Sequence, residues 1–228
     1  MGKEINVEKN YMTYKWYLKS YVNREGVDKL LEYLDKSDAN ICPASTKYHL
    51  SCEGGFVQHS LNVFNRLFKL LKNEYGDNLP YSKESIALVA LLHDISKVNY
   101  YKKTLRNVKD ENGKWTSVEQ YAVRDDDERF VYGTHEENSI EILSDFITLS
   151  YEEKVAILYH MGSNSETVDA YHEARKMTAY KKVPLAVWLH IADMLATCID
   201  EVEGTAEVEK VEQNNRETTG NTEEQVPI

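Results

Sequence analysis

The chain has 228 residues, and its 42% apolar and 29% charged residues are ordinary proportions for a globular protein of one domain with appendages. Its formal net charge of −11 disfavours general binding to long nucleic acid, because contacts with phosphate need Lys and Arg. The charge leaves room for a small phosphorylated substrate, since a metal ion can supply positive charge locally.

The N-terminal third is predicted to be helical with one long loop. Residues 11–36 indicate two helical pieces with a break at residues 23–26, and residues 1–40 are interpreted as an N-terminal helical extension. The loop that follows ends at Gly54 and Gly55, which predicts a close approach to other structure. Apolar positions at helical spacing then predict a helix over residues 56–73.

The middle of the chain carries a buried helix and a hairpin. Ser82 is a plausible N-cap, and residues 86–95 are almost entirely apolar, as in a buried central helix. In residues 99–132, aromatic and β-branched residues alternate with charges around Asn112-Gly113, which predicts an inserted β-hairpin.

Two capping boxes open the next helices. Thr134 with Glu137 predicts a helix to about residue 146, and Ser150 with Glu153 predicts one to about residue 161. The following residues 162–182 are interpreted as a loop with a helical piece.

The C-terminal part is predicted to hold one more helix and a tail. Pro184 suits a first helical turn, and its helix is expected to reach about residue 200. Residues 201–228 hold eight acids and two bases, and we expect a disordered tail that is dispensable for folding. The fold class is therefore all-α with a small inserted β-hairpin, and the main domain spans residues 41–200.

Cysteine content and the N-terminal residues bear on location. The three cysteines are odd in number and have no CxxC spacing, which favours a reducing compartment. Residues 1–10 show no apolar signal region, and no apolar run is long enough to span a membrane. These features predict a cytoplasmic protein without a membrane partner.

Several histidines and acids lie where chemistry is expected. His93 and Asp94 end the buried helix, where a charged carboxylate is costly unless it is paired or binds a metal. Taken alone, this pair also fits a helix-end hydrogen bond. Further candidates occur on four other helices, namely His59, His135, His160 and Asp193. Any single one is more often a core polar residue, but six together predict a centre for a borderline or hard divalent cation.

The order His…His-Asp…His…His…Asp resembles the HD superfamily of metal-dependent phosphohydrolases. The flanking segments PASTKYHLSCEGGFVQHSLNV, ALLHDISK and LHIADMLAT are similar to that family's motifs, and the resemblance covers roughly residues 40–200. Stand-alone HD proteins and the HD domain of bacterial 3′–5′ exoribonucleases look most similar. The resemblance implies a helical HD-domain bundle.

The resemblance also implies roles for individual residues. One ion would be held by His59, His93, Asp94 and Asp193. His135 and His160 match the extra histidines of the two-metal branch, in which Asp94 bridges two divalent transition ions such as iron or manganese and is central to catalysis.

A lysine at the position of Lys97 contacts the substrate phosphate in the family. On a continuing helix, Lys97 would share a face with Asp94. A solvated lysine at a helix C-terminus is an equally good interpretation.

Substrate contacts are less sharply indicated. His49 could line the pocket or serve a structural role, and His190 could support a ligand or belong to the core. The basic cluster could guide an anion or form a solvated surface; it consists of Arg175, Lys176, Lys181 and Lys182. Three hairpin tyrosines could stack on a base or simply pack the hairpin, namely Tyr100, Tyr101 and Tyr121.

The sequence therefore predicts a metal-dependent phosphohydrolase that acts on a phosphate mono- or diester of a nucleotide or short oligonucleotide. One alternative is a nuclease similar to 3′–5′ exoribonucleases, which the acidic charge disfavours. Another is a regulatory module that binds metal or nucleotide without turnover. The substrate, the metal and the oligomeric state stay open.

Overall fold

The computed structural model describes residues 5–109, 114–162 and 170–202, with the side chains of residues 170–172 excepted. This part of the chain forms eight α-helices and one two-stranded antiparallel hairpin, which confirms the predicted fold class. The helices are α1 (Val7–Tyr21), α2 (Val27–Lys36), α3 (Gly55–Tyr75), α4 (Lys83–Leu92), α5 (His135–Ser144), α6 (Tyr151–Leu158), α7 (Ala170–Lys182) and α8 (Pro184–Leu195). The strands are β1 (Tyr101–Lys109) and β2 (Trp115–Val123).

Helix α4 is the centre of the core. Ser82 caps its N-terminus through a hydrogen bond accepted from the backbone N–H of Ser85, and all seven residues from Ile86 to Leu92 are fully buried. Helices α1, α3 and α6 pack around it. A helix that is apolar on every side must be enclosed in this way, because any exposed face would leave apolar surface in water.

The two N-terminal helices share this core. Tyr14 and Leu18 of α1 and Leu30 and Leu34 of α2 are buried together with the residues of α4. The segment interpreted as an extension therefore packs as an integral part of the helical bundle.

The predicted capping boxes are confirmed, but the helices they open end earlier than expected. Thr134 and Ser150 each accept from the backbone three residues on, and the glutamates at those positions bond back to the cap. Helix α5 ends at Ser144 and α6 at Leu158. After these residues the backbone forms hydrogen bonds between residues three apart, and these bonds satisfy some of the last carbonyls.

Residues 170–182 form the continuous helix α7, where a loop with a helical piece was expected. Its packed face is mixed in character, with Ala179 and Tyr180 against the core and the buried Lys176 beside the Tyr180 ring. Within the described ranges, no single helix combines the length and apolar character needed to cross a membrane, and α7 with α8 does so only when joined across a 107° bend.

A partly buried ion pair connects the turn between α1 and α2 to α6. The Arg24 guanidinium donates to both carboxylate oxygens of Glu153, at 2.6 and 2.7 Å, and Ser85 Oγ donates to the same carboxylate at 2.7 Å. Burial raises the pKa of Glu153, but the hydrogen bonds from Arg24 and Ser150 outweigh burial and leave the pKa below its usual value. Glu153 is therefore charged at neutral pH.

The hairpin leaves the bundle just after the end of α4. Its register runs from Tyr101 opposite Val123 to Lys109 opposite Trp115. The predicted turn at Asn112-Gly113 lies outside the described residues. In the described strands, exposure is high away from the bundle, with Leu105 72% and Trp115 63% exposed, so among these residues the ones at the base of the hairpin are closest to the core.

A tyrosine from α1 secures the end of α4. The Tyr14 hydroxyl donates to the carbonyl of Leu91 at 3.0 Å, and the Tyr14 ring packs edge-on against Phe56 with 5.9 Å between centroids. The Leu91 carbonyl is in the last turn of α4, where carbonyls lack helical partners. The bond therefore holds the end of α4 in place, and His93 and Asp94 follow directly from that end.

We predict that Tyr14→Phe lowers the free energy of unfolding by about 1–3 kcal/mol, because it leaves a buried carbonyl without its donor while the ring packing is kept. Urea unfolding followed by circular dichroism measures the change. Tyr151→Phe, at a side chain that is 66% exposed, is the control and should change stability little. Equal stability of the two variants would show that the Leu91 bond contributes nothing.

Candidate metal centre

Asp94 lies at the junction between α4 and the 3₁₀ turn Ile95–Lys97 and is only 2% exposed. Its Oδ1 atom faces Nε2 of His135 at 3.3 Å and Nε2 of His160 at 3.5 Å. Its Oδ2 atom faces Nε2 of His93 at 3.4 Å and Nε2 of His59 at 3.7 Å. The two oxygens of one carboxylate are thus directed at two different pairs of histidines.

Asp193 of α8 completes the set that the sequence predicted. Its Oδ1 atom is 3.1 Å from Nε2 of His59. Helices α3, α4, α5, α6 and α8 therefore bring their ligand candidates to one point. Among the described residues, three groups of possible ligands have their ligand atoms within 4.8 Å of one another, and two of them lie at this point, namely His59 with His93 and Asp193, and His93 with Asp94 and His160. The third joins His59 to His49 and Glu201.

Two of the histidine rings are held by backbone carbonyls on the side that faces away from Asp94. Nδ1 of His93 bonds to the carbonyl of Ala90 at 3.0 Å, and Nδ1 of His160 bonds to the carbonyl of Ile157 at 2.7 Å. A carbonyl oxygen only accepts, so Nδ1 carries the proton and the lone pair of a neutral ring is on Nε2. The sequence explains this geometry, because each histidine closely follows a helix end and its ring reaches the carbonyl three residues earlier, in a turn where regular helical bonding stops.

Carboxylates take the same position behind the other two rings. His135 Nδ1 is 3.3 Å from Glu136 Oε2, and His59 Nδ1 is 2.9 Å from Glu201 Oε1. All four rings therefore direct Nε2 towards Asp94. An acceptor behind a ligating histidine is the usual arrangement at protein metal sites.

Orphaned polar atoms show that these residues fit a cation. Within the described part of the chain, the buried polar atoms without a hydrogen-bond partner include Nε2 of His93, His135 and His160, together with Oδ1 of Asp94. Buried polar atoms are almost always satisfied in proteins. Nitrogen and carboxylate ligands converging in this way suit a divalent transition metal ion.

Charge in the cluster is set by burial and by its neighbours. Burial raises the pKa of Asp94, but Lys97 and His93 oppose this strongly and hold the pKa well below its usual value. Burial lowers the pKa of His93, which stays neutral. For His59, burial also lowers the pKa, but the carboxylates of Asp193 and Glu201 outweigh it and raise the pKa to about 10. Metal binding must displace that proton.

Lys97 lies directly against the cluster. Its Nζ atom is 2.6 Å from Asp94 Oδ2, and its side chain is 16% exposed. The contact arises in a 3₁₀ turn, where residues three apart eclipse, rather than in the continuing helix that was expected. The structure thus favours a role at the site over that of a solvated lysine.

A cavity of about 500 Å³ opens above the cluster. His59, Asp94, His135 and Asp193 belong to its wall together with Lys97. The rest of the wall is formed by Ala44, Ser45, Thr46, His49, Ser96, Tyr100, Tyr101, Val123, Met161, His190, Met194, Thr197 and Cys198.

Two further histidines have distinct places in this wall. Burial lowers the pKa of His49 to about 4, so its ring is neutral at pH 7, and its Nε2 atom has no hydrogen-bond partner. His190 Nδ1 donates to the carbonyl of His160 at 2.6 Å. A Cβ atom at Gly162 would lie 2.7 Å from the His190 ring, so the contact requires glycine there.

Not all of the predicted substrate contacts reach the cavity. Arg175, Lys181 and Lys182 are exposed on α7 and are absent from the described cavity wall, because this helix turns its other face to the core. Their exposure fits the alternative of a solvated surface, and the cavity wall gives no support to direct binding of substrate by these three side chains. Among the hairpin tyrosines, Tyr100 and Tyr101 line the cavity, whereas Tyr121 lies on β2 opposite Lys103 and does not.

Glu201 was missed by the sequence analysis. It was counted as the first residue of the acidic tail, but its side chain is fully buried against His59. The expected tail boundary is corrected at this point, and residues 203–228 lie outside the described residues. One usable signal was the short separation in sequence from Asp193. An acid eight residues further along can still belong to the same continuous helix.

Family comparison agrees with this site. The HD domain model matches residues 56–198, which is more than half of the chain. The chain therefore belongs to the HD domain family of metal-dependent phosphohydrolases, and the resemblance seen in the sequence is confirmed. Searches of curated proteins and of solved structures gave no match.

We predict that Asp94→Ala abolishes the stabilisation by added Mn²⁺, because Asp94 contacts all four histidines and Lys97. For wild-type protein, saturation to 100 times the Kd should add about 2.7 kcal/mol. Melting curves of full-length protein with and without Mn²⁺ measure the shift. Asp127→Ala, at an exposed position of the segment after the hairpin, is the control and should shift as wild type does. A normal Mn²⁺ shift in folded Asp94→Ala would exclude Asp94 as a ligand.

Proposed function

We propose that this protein hydrolyses a phosphate mono- or diester of a nucleotide or short oligonucleotide. The main support is that the histidine-aspartate cluster forms the floor of the cavity, with a cationic side chain and aromatic rings in the wall above it. A phosphate next to the cluster and a base packed against one of the rings would use each of these groups.

We also propose that the centre holds two divalent transition ions, such as iron or manganese. The support is the split of the Asp94 carboxylate between two histidine pairs. One ion would be held by His59, His93, Asp94 and Asp193. The other would be held by Asp94, His135 and His160. When bound, such ions neutralise phosphoryl oxygens and make a water molecule acidic enough to act as a nucleophile near neutral pH.

The protein's own groups would orient and neutralise the substrate. Asp94 is the shared carboxylate around which the rings are arranged, and the Lys97 ammonium lies next to it in the cavity wall. The neutral His49 ring offers an unpartnered nitrogen, which can bond to a phosphate ester or sugar oxygen. Tyr100 and Tyr101 present rings that can stack on a base.

The size and charge of the cavity favour a short substrate. A volume of about 500 Å³ is within the range of small-molecule sites. The net charge of −11 gives no field that would attract a long strand. We therefore place a mononucleotide, cyclic dinucleotide or short oligonucleotide ahead of a long RNA.

Metal stoichiometry tests the two-ion arrangement. At saturating Mn²⁺, wild-type protein should bind about two equivalents and His135→Ala about one, because only the second ion uses this ring. Elemental analysis after removal of free metal gives the ratio. Asp127→Ala should match wild type. One equivalent in both wild type and His135→Ala would support a single-ion centre instead.

Turnover tests the role of Lys97. We expect wild-type protein with Mn²⁺ to release phosphate or nucleotide from at least one member of a panel of nucleoside phosphates, cyclic dinucleotides and oligonucleotides. Lys97→Ala should lower kcat/KM by about 100-fold with bound metal retained, because one charge that stabilises the phosphoryl group is lost.

The matched control for this experiment is Lys181→Ala, which removes an exposed lysine outside the cavity wall. It should leave kcat/KM unchanged. Equal activity of Lys97→Ala and Lys181→Ala would exclude a role for Lys97 in phosphate stabilisation. Failure of the metal-loaded wild type to turn over any member of the panel would count against the proposed substrate class.

A further inference from the structure

We infer that Glu201 is a positioning residue that sets the tautomer and orientation of the metal ligand His59. The inference rests on the metal centre and not on the identity of the substrate. The Glu201 side chain is fully buried, and its Oε1 and Oε2 atoms lie 2.9 and 3.2 Å from His59 Nδ1. The Asn62 side chain donates a second hydrogen bond to Oε1 at 3.0 Å.

The end of α8 is built to bring Glu201 to this place. Helix α8 continues into the π-helical turn Ala196–Asp200, and Glu201 follows directly. Arg66 of α3 holds this turn through Asp200, with 2.7 Å between Nε and Oδ2. Because Asn62 and Arg66 are one turn apart on α3, they secure two successive residues of the π-helical end against the helix that carries His59. Widened turns of this kind are often found at functional sites.

The contact has a direct consequence for the ligand atom. A carboxylate only accepts, so the Nδ1 proton of His59 is committed to Glu201 and a neutral ring is left with its lone pair on Nε2. That Nε2 atom faces Asp193 at 3.1 Å and Asp94 at 3.7 Å. A carboxylate partner also makes Nε2 a more basic ligand than a carbonyl partner would.

The burial of Glu201 argues against an incidental contact. A buried carboxylate is costly unless its oxygens are well paired. Burial raises the pKa of Glu201, but the hydrogen bond with His59 and the positive charge there outweigh it and lower the pKa. Its partners in the described residues are His59 and Asn62, with His49 Nε2 further away at 3.9 Å, so its contacts centre on one ligand ring.

Metal affinity of the full-length protein tests the inference without any substrate. Metal-free protein is titrated with Mn²⁺, and the free ion is followed by electron paramagnetic resonance. Glu201→Ala should raise the Kd for the ion that His59 binds by about 10–100-fold, and the number of ions bound at saturation should be unchanged. Glu201→Gln should rescue part of the affinity, because its amide oxygen can still accept from Nδ1. Glu74→Gln, at an exposed position of the same helix α3, should bind as wild type.

A second measurement is independent of any variant that fails to fold. Nitrogen NMR of Zn²⁺-loaded wild-type protein should show His59 protonated on Nδ1 and coordinated through Nε2.

Wild-type affinity in folded Glu201→Ala, or coordination of His59 through Nδ1, would overturn the inference. Loss of a whole equivalent of metal at saturation would show instead that Glu201 is itself a ligand. These binding and NMR measurements use no substrate, so they stay valid if the protein turns over none of the tested substrates. Failure of the proposed function can therefore be told apart from failure of this inference.

Discussion

The whole site depends on one buried carboxylate. Asp94 is placed at the end of an entirely apolar helix, is 2% exposed, and is surrounded by four histidine rings. A charge in such a place is tolerated only with close positive partners. In the structure, the Lys97 ammonium provides one such partner at 2.6 Å. The Oδ1 atom of Asp94 and three of the histidine Nε2 atoms around it have no hydrogen-bond partner in the described residues, and this makes the point suited to a cation.

The fold prepares the cation site by holding each histidine ring through its Nδ1 atom, on the side away from Asp94. Helix ends supply carbonyls to His93 and His160, and carboxylates take that place for His59 and His135. Because every Nδ1 atom has a nearby acceptor, every Nε2 atom can act as a ligand. Helix termini, which leave backbone carbonyls unpaired, are therefore part of the site's chemistry as well as of its architecture.

The sequence revealed most of this arrangement because the relevant signals are local. Caps at Ser82, Thr134 and Ser150 and the apolar run of α4 predicted helices that the structure confirms, and the motif order predicted the family. Helix α7 was underestimated because its packed face contains a lysine and a tyrosine rather than an apolar stripe. Glu201 was missed because it was grouped by composition with the acidic residues that follow it, and its partner His59 is 142 positions away in the chain.

Anomalous diffraction from a crystal of the Mn²⁺-loaded protein, collected near the manganese edge, would locate the bound ions at this site. Two peaks about 3.5–4 Å apart are expected. One should be bounded by His59, His93 and Asp193 and the other by His135 and His160, with Asp94 between them and every ring coordinating through Nε2. Density for manganese elsewhere on the protein with none at Asp94, or rings coordinating through Nδ1, would contradict this arrangement.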